Sequence, residues 1–139
     1  LRTYDSGAGG LYSTARDYLH FAQLLAEDGR VGRGRLLSRK TVDLMMSDQL
    51  AGFDPALRGP ARGEGFGLGG YVVTDVAQRA RLGSVGQFGW SGAASTYFTV
   101  DRREHLVALL LCQHLPDDRP GDLPRLSVPF FNLVYQAMP

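Results

Sequence analysis

The sequence predicts an α+β chain, in which helices come first, antiparallel strands follow and a last helix closes the fold. Three patterns carry that reading. Ala15, Tyr18, Leu19, Ala22, Leu25 and Ala26 recur at helical spacing. Residues 94–101 alternate, with Ser95, Tyr97 and Thr99 on one face and Thr96, Phe98 and Val100 on the other. Near the C-terminus Phe130, Leu133, Val134, Ala137 and Met138 form one apolar stripe, suited to lying on a sheet.

Each element has its own punctuation. Residues 5–10, Asp-Ser-Gly-Ala-Gly-Gly, read as a glycine-rich loop. Ser13 is the expected N-cap of the first helix, Asp17 suits its positive end, and Gly29 stops it. A second helix starts after Ser38 and reaches about Ser47, with Val42, Met45 and Met46 inward. Residues 51–64 are rich in Gly, Pro and Arg and read as a long surface loop. Residues 65–73 look like one strand whose glycines mark bends or close backbone approach. A weaker strand spans 84–88. Strand 94–101, the polar turn 101–105 and the apolar run 106–113 make an antiparallel hairpin; the run reads as a strand buried on both faces. With the weaker one left aside, about three strands are expected. Residues 114–124 form a proline-rich loop, Ser127 is the expected cap of the last helix, and Pro129 fits its first turn. The division expected is 1–50 helical segment, 51–64 loop and 65–139 sheet with closing helix, all within one incomplete structural domain.

Composition removes several function classes. The chain has 139 residues, 44% of them hydrophobic, which suits a folded domain rather than a disordered segment. A net charge of +1 with scattered arginines argues against a nucleic-acid surface. The longest apolar run, 106–112, is too short to span a bilayer. Cys112 is the only cysteine, so no internal disulfide forms; it reads as an inert core thiol. His20, His105 and His114 lack a metal-ligand spacing, and no cofactor or metal is expected. Residues 65–70, Gly-Phe-Gly-Leu-Gly-Gly, lack the lysine and helix of a phosphate loop.

The segment with most chemical content is Gly89-Trp90-Ser91-Gly92-Ala93, which runs straight into strand 94–101. It resembles the third active-site box of the serine β-lactamase, penicillin-binding-protein and esterase superfamily. Other stretches support the resemblance in order along the chain. Residues 7–17, Gly-Ala-Gly-Gly-Leu-Tyr-Ser-Thr-Ala-Arg-Asp, resemble the family's G-x-G-G-L-x-S-T-x-x-D segment. Residues 65–69 look like its strand entering the sheet, and 86–92, Gly-Gln-Phe-Gly-Trp-Ser-Gly, resemble G-x-x-G-[HW]-x-G. Residues 97–101, Tyr-Phe-Thr-Val-Asp, resemble Y-F-x-V-D-P, with Arg102 where the family has proline.

The resemblance implies roles. Ala93 would offer its backbone N–H to a tetrahedral oxyanion, and Trp90, Ser91 and Gly92 would line the substrate. Tryptophan replaces the lysine that would pair with a substrate carboxylate; it supplies an apolar wall and one N–H donor, which points toward an esterase. Ser91 can bond a substrate or a backbone group, and Gly92 gives clearance. The nucleophile box Ser-x-x-Lys is absent, because the one lysine, Lys40, follows Leu37 by three residues. The Tyr-x-Asn box is absent too: the one asparagine, Asn132, follows Phe130 by two. Its helical setting favours a structural role. Tyr12 and Tyr97 sit in patterns that predict packing rather than catalysis.

The expectation is therefore the C-terminal portion of a serine hydrolase that works through an acyl-enzyme and is not catalytic alone. Its partners would be a small ester or amide substrate and the N-terminal part of the same protein. The opening on Leu1, with no apolar signal segment, reads as a fragment or processed product, its targeting sequence upstream and its compartment, bacterial cytoplasm or periplasm, open. An uncovered strand edge would let the fragment form homo-oligomers. The rival readings are a truncated, non-enzymatic paralogue that binds a ligand or partner through its sheet, and an unrelated α+β interaction domain.

Overall fold

The computed structural model describes residues 9–53, 57–117, 122 and 126–139. Residues 5–8 of the expected glycine-rich loop, 54–56 of the surface loop and most of 118–125 lie outside the described residues. The elements are α1 (Ala15–Ala26), β1 (Arg30–Val31), β2 (Gly34–Arg35), α2 (Arg39–Met45), β3 (Glu64–Phe66), β4 (Tyr71–Val73), α3 (Val76–Arg79), β5 (Phe88–Ser91), β6 (Thr96–Asp101), β7 (Leu106–Leu111) and α4 (Ser127–Gln136). Strands β3 to β7 form one antiparallel sheet in sequence order, and β1–β2 is a separate small hairpin. The order of helices, antiparallel sheet and closing helix is the expected α+β one.

Helix α1 is capped by Thr14, one residue after the expected Ser13. The Thr14 hydroxyl accepts the Asp17 N–H at 3.1 Å and donates to the Asp17 carboxylate at 2.8 Å. Such a cap contributes about 1 kcal/mol. The helix ends as expected at Gly29, whose N–H bonds Leu24 O at 2.7 Å with φ +86. A Cβ there would sit 2.1 Å from Leu37 O, so glycine is required twice over. Ser38 caps α2, with its side chain accepting the Thr41 N–H at 3.0 Å.

The sheet has five strands where three were expected. The segment 65–73 is a hairpin, not one strand. Its glycines turn the chain, with Gly69 at φ +97 and Gly67 N–H bonded to Gly70 O at 2.8 Å. Strand β3 begins at Glu64, the residue on which the expected loop ends. The strand expected at 84–88 starts only at Phe88 and runs through Trp90 and Ser91, because Gly86, at φ +91, first turns the chain onto β4. The short helix α3 gives no apolar period to read; Asp75 caps it by accepting the Gln78 N–H at 2.9 Å.

Strand β7 is shorter than the expected 106–113 and is not buried on both faces. Among the described residues it pairs only with β6, and of its side chains only Ala108 is buried. Cys112 lies one residue past it, half-buried rather than in the core.

The apolar core lies between α1, α2 and one face of the sheet. Ala22, Leu25, Val42, Met46, Val72, Phe88, Phe98 and Val100 form it. The Tyr18 and Phe98 rings meet edge-on at 5.2 Å. Arg102 fastens the helices to the β6–β7 turn: its guanidinium bonds Asp28, after α1, and Asp43 of α2, the latter at 2.8 Å. That guanidinium holds the Asp43 carboxyl below its ordinary range.

Helix α4 covers the other face with part of the expected stripe: Phe130, Val134 and Met138 are half-buried, while Leu133 and Ala137 are exposed. Leu133 is 63% exposed. Val128, Phe131 and Asn132 turn inward to a cleft, and the Tyr135 hydroxyl reaches Asp101 at 2.7 Å. Its N-terminus has no side-chain cap, since Leu126 rather than Ser127 occupies that position. Pro129 sits in the first turn as expected. Toward α4 the sheet is mixed, with Leu106, Ala108 and Leu110 of β7 beside Tyr97, Thr99 and Asp101 of β6.

Candidate active site

Strand β5 sets the geometry. Gly89 pairs with Thr99, Trp90 with Phe98 and Ser91 with Tyr97. Gly89 must be glycine, since a Cβ would meet Phe98 O at 2.3 Å and the Tyr71 hydroxyl at 2.7 Å. After Ser91 the chain leaves the sheet in a tight turn. Gly92 N–H bonds Thr96 O at 2.7 Å, Ser95 N–H bonds Gly92 O at 3.1 Å, and Ser95 takes φ +60. The clearance expected of Gly92 is partly internal, because a Cβ there would lie 2.4 Å from the Thr96 hydroxyl.

The turn leaves Ala93 exposed, and its N–H has no hydrogen-bond partner among the described residues. Ser91, Gly92, Ala93, Ser95, Tyr97 and Pro116 surround an open, polar hollow of about 310 Å³. Trp90 is 40% exposed, with its ring edge-on to Phe66 at 5.0 Å. The structure thus brings Trp90, Ser91, Gly92 and Ala93 together on one exposed strand end. Tyr97 lines the same hollow, whereas Tyr12 is 95% exposed and packs against no core, contrary to the expected packing. His114 pairs with Asp122 at 2.7 Å, and its N–H bonds Ala94 O at 3.3 Å behind the turn.

A second concavity, a cleft of about 180 Å³, opens between β5 and α4 and shares Trp90, Ser91 and Tyr97 with the strand end. Its floor is a polar network. Arg79 bonds Glu64 at 2.8 Å, and both side chains are more than nine-tenths buried. Arg79 also bonds the Gln87 amide oxygen at 2.9 Å and lies 5.0 Å over the Tyr71 ring. Gln87 donates to the Thr99 hydroxyl at 2.6 Å, which donates to Phe88 O at 3.3 Å. Asp101 accepts the Arg103 and Glu104 N–H groups with one oxygen and the Tyr135 hydroxyl with the other. Burial first, and then that hydrogen bond to Asp101, push the Tyr135 phenol far above its usual range. The Asn132 amide oxygen accepts the Leu82 N–H at 3.2 Å at the edge of this cleft. Sequence reasoning missed Glu64, Arg79 and Gln87. Only the period-2 placing of Thr99 was visible.

A five-stranded antiparallel sheet with helices before it and a C-terminal helix defines the class: a portion of a β-lactamase-like fold. The chain belongs to the Beta-lactamase family, which it matches over residues 1–127. It is 41% identical over 122 residues to "Protein Rv1367c" of Mycobacterium tuberculosis H37Rv, and equally to "Uncharacterized protein MT1414" of strain CDC 1551. Each match covers 83% of this chain and 30% of the relative, so the chain spans about a third of those proteins. Among solved structures it is similar to EstCE1, a hydrolase with promiscuous acyltransferase activity. That match has 26% identity and a TM-score of 0.68 over 87% of this chain and 29% of EstCE1. Simvastatin synthase (LovD) from Aspergillus terreus shares the fold, at 23% identity and a TM-score of 0.59, over 87% of this chain and 34% of LovD. The family and EstCE1 are of serine hydrolase and acyltransferase type.

Proposed function

We propose that residues 90–93 form one wall of an acyl-enzyme site in a serine hydrolase, with the nucleophile contributed by a part of the protein outside this chain. In this reading residues 1–50 return from a helical subdomain, 51–64 are a surface loop and 65–139 are the sheet portion. A serine would attack an ester or amide carbonyl, and the carbonyl oxygen would gain negative charge. Ala93 N–H would receive that oxyanion beside the nucleophile's own N–H. Trp90 would pack against the apolar part of the substrate, and Ser91 would hydrogen-bond it. The chain alone would be inert, because it has no Ser-x-x-Lys and no Tyr-x-Asn.

The observation that carries this reading is the unpartnered Ala93 N–H at the rim of a polar hollow, one residue after a glycine whose own N–H is already used. The test removes that donor without touching a side chain the site uses. In the full-length protein, Ala93→Pro deletes the N–H, whereas Ala93→Gly keeps it. Ala93→Pro should lower kcat about 10²–10³-fold with KM little changed, and Ala93→Gly should stay near wild type. Equal kcat in both variants, each folded by circular dichroism, would refute the oxyanion role.

A further inference from the structure

We propose that the cleft between β5 and α4 binds a ring-sized apolar group bearing a carboxylate, and that Arg81 selects for the charge. Size comes first. A cavity of about 150 Å³ is enough for a benzene ring, and this one has about 180 Å³. Wall chemistry is next. Trp90, Tyr97 and Phe131 present aromatic surface, which favours a flat apolar body.

Charge completes the argument. Three ionised groups line the cleft: Glu64, Arg79 and Arg81. Glu64 and Arg79 are spent on each other in the buried floor. Arg81 stands exposed at the rim and takes part in none of the ion pairs among the described residues. The cleft therefore carries one uncompensated positive charge, on a guanidinium built for bidentate carboxylate binding. Asn132 supports it: its amide oxygen faces Leu82 N–H, which leaves the NH₂ as a donor. Because the cleft shares Trp90 and Ser91 with the candidate active site, the occupant is read as a part of the substrate, and to that extent the inference rests on the proposed function.

Binding can be tested without turnover. In the full-length protein, ¹⁹F NMR would follow 4-fluorobenzoate and 4-fluorobenzamide, which differ in charge and hardly in shape. The benzoate should bind at least about tenfold tighter, a difference of about 1.4 kcal/mol. Arg81→Gln should erase that preference, and Arg81→Lys should keep most of it. Equal binding of the two probes, or a preference that survives Arg81→Gln, overturns the inference. Hydrolysis of a neutral short-chain ester is measured alongside. A protein that binds benzoate through Arg81 but cleaves no ester sinks the hydrolase reading and leaves this site standing; one that cleaves esters but ignores the carboxylate does the reverse.

Discussion

Helices α1 and α4 lie on opposite faces of one sheet and meet it with different chemistry. Under α1 the contacts are apolar: Leu25, Phe88, Phe98 and Val100 are almost fully buried. On the other face Glu64 of β3, Arg79 of α3, Gln87 just before β5, and Thr99 and Asp101 of β6 have buried side chains too, but joined by hydrogen bonds. Apolar packing is non-directional and tolerates small shifts. A buried polar network holds only if each member finds its partner. Among the described residues no buried side-chain nitrogen or oxygen lacks one. The candidate active site sits where this rigid face reaches the open end of β5, which is where a site needing fixed geometry is best supported.

The largest effect should come from breaking the polar face at its ion pair. Arg79→Met leaves Glu64 charged and unpaired in the interior, and should cost about 3–5 kcal/mol. Replacing both partners, with Glu64→Leu added, should recover most of that loss, because a buried pair contributes little net once its desolvation is counted. Urea denaturation of both variants checks this. A single mutant no worse than the double would mean that the pair is solvated.

On the apolar face, Leu25→Ala should cost about 2–5 kcal/mol through lost burial and a residual cavity. No second substitution of a neighbour should rescue it as the ion-pair partner does, since there is no charge to cancel. Thermal melts of Leu25→Ala with and without Val42→Leu would show whether the two faces differ in that way. Full rescue by Val42→Leu would erase the distinction.

The same contrast explains what the sequence could tell. Helix α1, the β6–β7 hairpin and the core face of β6 were legible because apolar residues recur at the period of their element. The polar face was not. Glu64, Arg79 and Gln87 are residue types that usually lie in water, so a buried use of them leaves no periodic mark. On α4 the expected apolar stripe holds at Phe130, Val134 and Met138 but not at Leu133, and the contact of Tyr135 with Asp101 left no mark in it. Residues 65–73 read as one bent strand; the pairing of Phe66 with Tyr71 and the positive φ at Gly69 make them a hairpin. In the candidate site, Trp90 to Ala93 were singled out by resemblance alone. The exposed N–H of Ala93 and the second cleft required coordinates.

The smallest effect separates the faces by pH. Tyr135 donates to Asp101, and its pKa is raised in the folded state by burial and by that acceptor. The sign follows from proton counting. Above about pH 10 the unfolded chain loses its phenol proton while the folded chain keeps it. Stability supplied by the neutral phenol is thus complete below pH 10 and declines as pH rises beyond it. Tyr135→Phe removes both the bond and the titration. It should cost about 1–3 kcal/mol at pH 7, for a carboxylate oxygen left without its donor. The gap between wild type and variant should then narrow from pH 9.5 to 11, as the wild type alone pays the alkaline penalty at this position. Leu25→Ala, on the apolar face, should keep a constant gap over the same range. Urea midpoints at half-unit steps of pH measure both. A Tyr135→Phe gap that stays constant or widens would show that the phenol titrates in the folded chain much as it does in water, and that the polar face is wetter than its hydrogen bonds imply.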